Sequence, residues 1–249
     1  MISPLPLVLL HPYPTDAGFW DRMRSHLDPK RPITAPNAPG FGDQASRANW
    51  TIDDAADRVA AHIRARTSDG AAAVMGLSMG GYIALSLAVR HPERCARLVL
   101  ADTRADADDA AARAARTDAI AAIRGGHQGD YLTALLPRLL GPDAHPRVRS
   151  ELAALAARQS SDALVGALSA LAGRPDRRGD LPTLVIPTLV IVGAEDQVTP
   201  PSAARELACN LPQARLIEIP AAGHLSALED PETVAGYVEA FLSDDPASR

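Results

Sequence analysis

The chain has 249 residues, and its 30 acidic against 25 basic side chains leave a formal net charge of −5. That length holds one large α/β domain or two small ones, and the acidic balance lacks the basic footprint of a nucleic-acid binder. Aromatic residues are only 4% within a 47% hydrophobic composition, so Ala, Leu, Val and Ile must build the core. The two cysteines, Cys95 and Cys209, make neither a disulfide framework nor a metal cluster.

From the start, Met1-Ile2-Ser3-Pro4-Leu5-Pro6 is apolar but has no basic n-region and no clear cleavage site, and prolines interrupt it. It reads as the lead into a first strand over 5–10 and the protein as cytoplasmic. No run approaches the ~20 apolar residues of a membrane span. Residues 32–36 predict a second, weaker strand. The spacing of Ile52, Ala56, Val59, Ala60 and Ile63 predicts an amphipathic helix over 51–66. A strand over 71–75, a helix over 79–90 and a strand over 97–101 come next. The alternation of short apolar runs with helical patterns predicts βα units and a mostly parallel sheet flanked by helices.

The rhythm breaks over 104–181. This stretch is rich in Ala, Arg and Leu with helical spacing, and Gly125-Gly126, Gly141-Pro142 and Gly173-Arg174-Pro175 divide it into about four helices. It is either an ordinary helical insertion or a cap over the carboxyl ends of the strands, where open α/β sheets bind ligands. The βα rhythm resumes with a strand over 188–192, a helix over 201–210, a strand over 215–219 and a helix over 231–242. The expected organisation is a core of 1–103 and 182–249 carrying a cap of 104–181.

Gly76-Leu77-Ser78-Met79-Gly80 is a G-x-S-x-G pentapeptide between a predicted strand and a predicted helix. A sharp strand-to-helix turn strains the middle residue and holds its hydroxyl above a helix N-terminus, which favours developing negative charge. The plainer reading is a tight turn with an incidental serine. Glycines two before and two after Ser78 are expected to permit the turn.

Serine needs a base, and the base needs an orienting acid. The order Ser, Asp, His is available at strand ends: Asp196 follows the strand over 188–192, and His224 follows the last strand. Glu195 is adjacent to Asp196. Asp102 closes the strand over 97–101 and is the other rival acid, though a carboxylate there commonly caps or tethers the first turn of the next helix. The plainer readings are a turn aspartate for Asp196 and a structural loop histidine for His224. His26, His62, His127 and His145 have no partner in view, and His91 closes a helix. An oxyanion would be held by the backbone N–H of Met79 and that of Tyr13, because Pro12 and Pro14 on either side of Tyr13 have no N–H. Alternatively, His11-Pro12-Tyr13-Pro14 is a rigid turn in which Tyr13 only packs. Pro39-Gly40-Phe41-Gly42 reads as scaffolding below the site.

These motifs stand in the order of the α/β-hydrolase fold superfamily, which the chain resembles nearly end to end. The resemblance rests on Leu9-Leu10-His11-Pro12, Ala38 to Gly42, Gly76 to Gly81, His91-Pro92-Glu93-Arg94, Gly193-Ala194-Glu195-Asp196 and Gly223-His224. The segment Pro220-Ala221-Ala222-Gly223-His224-Leu225-Ser226 resembles the small-hydrolase branch that includes 3-oxoadipate enol-lactonase and cofactor-free esterases and perhydrolases. The resemblance implies Ser78 as nucleophile, His224 as base, Asp196 as acid, and a serine hydrolase of small esters or lactones. It implies no metal, nucleotide or flavin cofactor, and a small-molecule substrate without a membrane or nucleic-acid partner. Carbon–carbon bond hydrolases, perhydrolases and biosynthetic cyclases or lyases run on the same triad, and non-catalytic ligand-binding proteins keep the pocket. Two departures stand out. The family usually has His-Gly where this chain has His11-Pro12, and the edge hairpin before that strand is shortened or missing, so six or seven strands are expected.

Overall fold

The computed structural model describes residues 4–45, 47 and 49–244. The predicted lead-in at residues 1–3 lies outside the described residues. Strands β1 (Leu7–Leu10), β2 (Ile33–Thr34), β3 (Ala72–Leu77), β4 (Cys95–Ala101), β5 (Thr188–Gly193) and β6 (Ala214–Ile219) form one sheet in the order β2-β1-β3-β4-β5-β6. Every neighbouring pair is parallel. All of β1, β3 and β5 is buried, as expected of strands covered by helices on both faces.

Prolines trim the first two strands. Pro6 and Pro32 offer carbonyls, to Ala73 N–H at 2.8 Å and Leu7 N–H at 2.9 Å, but have no N–H to return. The ladder therefore starts at Leu7 instead of residue 5, and β2 shrinks to two residues.

Among the described residues there are ten α-helices. Ahead of β3 in the chain come α1 (Asp21–Arg24) and α2 (Ile52–Arg66). The latter is started by a capping box in which Thr51 and Asp54 satisfy each other's backbone N–H. Helix α3 (Met79–Arg90) is buried from Met79 through Ala88, which its small and apolar residues permit. Helices α4 (Ala110–Arg124), α5 (Gln128–Leu135), α6 (Pro146–Ala157) and α7 (Ser161–Ala172) fill the stretch between β4 and β5. Asp109 caps α4 and Ser160 caps α7. The four predicted helices are present, with no strand among the described residues of 104–181. Helices α8 (Pro201–Asn210), α9 (Ser226–Glu229) and α10 (Pro231–Ser243) complete the chain.

Two apolar clusters sandwich the sheet. One joins α2, α3 and α7 to Val8, Val74 and Leu100. The other joins α6, α9 and α10 to Leu9, Met75 and Ile191, which point to the opposite face of the sheet. From β1 the chain first moves to β2 and then crosses to β3, so strand order reverses between β1 and β3. The crevice at the carboxyl ends of those two strands is where such sheets bind ligands. Residues 11–15 and Ser78 flank it.

Candidate active site

Ser78 follows β3 and serves as N-cap of α3 with φ 52° and ψ −113°. A non-glycine residue there costs ~1–3 kcal/mol. The surroundings hold it: its N–H donates to the Ala101 carbonyl at 3.0 Å, and its carbonyl accepts from Thr103 Oγ1 at 3.0 Å and Tyr82 N–H at 3.1 Å. Gly76 and Gly80 permit the turn as expected, by leaving out a Cβ, while the strain sits on Ser78 itself. A Cβ on Gly76 would collide with the Gly80 carbonyl, and one on Gly80 with the Leu10 carbonyl. The glycines allow β3, α3 and the end of β1 to touch through their backbones.

His224, in the loop after β6, is only 2% exposed. Its Nε2 lies 2.8 Å from Ser78 Oγ and its Nδ1 lies 2.8 Å from Asp196 Oδ2. The Asp196 carboxylate is held by the turn after β5. Oδ1 accepts the N–H groups of Val198 at 2.7 Å and Thr199 at 2.9 Å, and Oδ2 accepts Thr199 Oγ1 at 2.7 Å. An ionised carboxylate only accepts, so Nδ1 carries the ring proton and Nε2 faces the serine hydroxyl as an acceptor.

The electrostatics match this tautomer. Burial pulls the His224 pKa down, but the hydrogen bond and charge of Asp196, joined by the charges of Asp102 and Glu229, hold it above the ordinary value. Burial pushes the Asp196 carboxyl up, and its bonds from His224 and Thr199 outweigh that and hold it below the usual carboxylate range.

Neither rival acid bonds to the histidine. Glu195 Oε2 is buried with no partner among the described residues. Asp102 does not tether the first turn of the helical stretch, as a strand-end carboxylate commonly would; α4 has Asp109 as its cap. Instead Asp102 Oδ1 accepts Gly193 N–H at 2.8 Å, and Oδ2 accepts Ser226 N–H at 3.0 Å and Ser226 Oγ at 2.6 Å. It thus binds the end of β5 to the loop that carries His224. Burial and the neighbouring Asp196 charge push its pKa up to about 7.

Met79 is the first residue of α3, so its N–H has no carbonyl to bond within the helix. Tyr13 lies across the crevice in a turn closed by Thr15, whose N–H and Oγ1 reach the Pro12 carbonyl at 3.1 and 2.8 Å. The Tyr13 hydroxyl donates to that of Tyr131 on α5 at 3.1 Å. Below this turn, His11 Nε2 accepts Ala38 N–H at 3.0 Å and its ring meets Phe41 at 5.2 Å. Burial lowers the His11 pKa to about 4, so this imidazole is a neutral strut. Four other histidines have structural partners: His62 meets Thr34, His91 meets Asp57, His127 meets Asp130, and His145 caps α6. Among the described residues, no group of three or more His, Cys, Asp or Glu is placed to hold a metal ion.

Sequence reasoning missed Thr199, Ser226 and Glu229. The spacing Asp196-x-x-Thr199 is a side-chain-to-backbone turn signature and could have revealed the first. Nothing local marks the other two.

A family model described as the alpha/beta hydrolase fold matches residues 6–231. The chain belongs to that family. Among curated proteins, this hydrolase is 31% identical to the pimeloyl-[acyl-carrier protein] methyl ester esterase of Neisseria meningitidis, over 97% of this chain and 78% of that protein. It is 32% identical to the esterase of the same name from Aromatoleum aromaticum, over 94% and 96%. Among solved structures, it matches a thermophilic esterase from Thermogutta terrifontis at a TM-score of 0.91 and 31% identity, covering 96% and 90% of the two chains. It also matches the enol-lactonase from Burkholderia xenovorans at 0.87 and 25%, covering 96% and 92%.

Proposed function

We propose that this hydrolase cleaves a small carboxylic ester or lactone through an acyl-enzyme on Ser78. The observation that carries the reading is the continuous relay from Ser78 Oγ to His224 Nε2 and from His224 Nδ1 to Asp196 Oδ2, with both links at 2.8 Å. His224 takes the hydroxyl proton as Ser78 Oγ attacks the acyl carbon. Asp196 keeps the imidazole in the productive tautomer and stabilises the imidazolium that forms. The N–H groups of Met79 and Tyr13 receive the oxyanion. His224 then protonates the leaving alkoxide, and the same nitrogen later activates the water that releases the acid.

The helices of 104–181 act as the cap. Two contacts support this: Tyr131 on α5 meets Tyr13, and Gly141 lies against Gly223 beside His224. The block thus touches both loops that flank Ser78 and shapes what reaches it. The relatives named as methyl ester esterases support a carboxylic ester as the bond cleaved.

The test is turnover of short-chain p-nitrophenyl esters together with labelling by a fluorophosphonate. Label on Ser78 and turnover that both vanish in Ser78→Ala and His224→Ala support the reading. Wild-type protein that neither labels nor turns over any ester or lactone overturns this reading and favours the ligand-binding alternative.

A further inference from the structure

The loop that carries His224 is pinned by two carboxylates, one bonded to a residue before His224 and one to a residue after it. Asp102 ties Ser226 to Gly193 at the floor of the site. Glu229 is the other carboxylate. Its Oε1 accepts the N–H of Gly223, the residue before His224, at 2.9 Å. Its Oε2 accepts the N–H of Gly141, between α5 and α6 of the helical block, at 2.8 Å. One carboxylate thus holds two backbones that touch each other: a Cβ on Gly223 would collide with Gly141 N and the Leu140 carbonyl carbon. Arg149 fixes the far side of the same segment, donating to the carbonyls of Ala144 at 3.1 Å, Gly141 at 3.3 Å and Pro142 at 2.8 Å.

Nothing in the acyl-transfer chemistry needs this carboxylate. A half-buried acid held between two glycine N–H groups, on the same loop as the base, is a costly choice for a merely structural link. Burial raises its pKa even against the backbone N–H groups of Gly141, Gly223 and Leu225 and the charge of Arg149. The charged groups facing it are Arg149 from the helical block and His224 from its own loop. Arg22 of α1 binds the carbonyl of the neighbouring Leu228 at 2.9 Å.

We propose that Glu229 is a positioning residue, whose bonds to Gly141 and Gly223 set the imidazole of His224 by docking its loop onto the helical block. The part that concerns turnover rests on the serine-hydrolase reading; the part that concerns the imidazole does not. Because the block and the histidine share this carboxylate, a shift of the 140–141 segment is transmitted directly to the base.

The experiment compares wild type with Glu229→Gln and Glu229→Ala. The isosteric Gln keeps one acceptor and loses the charge, and it carries the test if the Ala variant does not fold. The first readout is the titration of the His224 ring by NMR, which needs no turnover. Both variants should titrate at lower pH than wild type, because a negative charge that stabilises the imidazolium is gone. The second readout is kcat per active site titrated with a fluorophosphonate. It should fall about 10- to 100-fold with KM little changed, the cost of a base displaced by a fraction of an ångström to an ångström. A His224 titration identical to wild type overturns the proposal. So does a kcat per titrated site that stays at the wild-type value while only Tm falls, since that is what a structural strut gives. Should the wild type show no esterase activity, the serine-hydrolase reading fails, and an unchanged His224 titration would still overturn the proposal for Glu229.

Discussion

The exchange Asp196→Asn tests the site most sharply, because the turn around residue 196 dictates which way the new amide faces. Two backbone donors, Val198 N–H at 2.7 Å and Thr199 N–H at 2.9 Å, hold Oδ1 of the native carboxylate. In the variant the amide oxygen must remain there, which leaves the NH₂ group pointing at His224 Nδ1. An amide donor facing Nδ1 selects the tautomer with the proton on Nε2, and that nitrogen can then no longer accept the Ser78 proton. The variant loses the productive tautomer and the counter-charge for the imidazolium together. In the serine-protease triad the same exchange costs about 10⁴-fold in kcat, or ~5 kcal/mol of barrier. A loss of about 10³- to 10⁴-fold is expected here, with Tm little changed because the side chain keeps its size and both backbone donors. The assay is kcat/KM on a p-nitrophenyl ester, with Asp102→Asn measured beside it. A loss of less than about tenfold in Asp196→Asn, or a larger loss in Asp102→Asn, would refute the assignment of the acid.

The imidazole must be neutral to act as base, and its pKa is held above the ordinary 6.5 by Asp196. The acidic limb of kcat/KM should therefore lie above pH 6.5, with activity lost as pH falls through it; a limb below that value contradicts the electrostatics. Thr199→Val removes the hydroxyl that donates to Asp196 Oδ2 at 2.7 Å while keeping the side-chain shape. It should cost about 1–2 kcal/mol of stability and lower kcat by about tenfold, read by urea denaturation and steady-state kinetics. Gly80→Ala drives a Cβ into the Leu10 carbonyl. It should destabilise the fold by about 3 kcal/mol in urea denaturation, and a change under about 1 kcal/mol would show that β1 and α3 can separate freely.

Local pattern makes the helices and central strands legible. The stripe from Ile52 to Ile63, the buried runs of β3 and β5, and the four helices between β4 and β5 all arise from periodicity and caps read along the chain. The ends of β1 and β2 are not legible in the same way, because a strand is limited by what its neighbour can pair with, and here prolines withhold the donors. Asp102 is hidden for a similar reason. Its position at a strand end suggests a local cap, but its partners, Gly193 and Ser226, are 91 and 124 residues away.

The order of residue types along the chain is enough to nominate Ser78, Asp196 and His224, because a nucleophile at a strand-to-helix turn, and an acid and a base at later strand ends, each leave a local signature. Only the packed structure shows which of Asp196, Glu195 and Asp102 lies beside the imidazole. Neighbouring or equivalent strand ends look alike in sequence, whereas which carboxylate meets an imidazole depends on how β4, β5 and β6 are staggered side by side. The same holds for Glu229, whose bonds to Gly141 and Gly223 exist because two glycine backbones from distant parts of the chain come into contact.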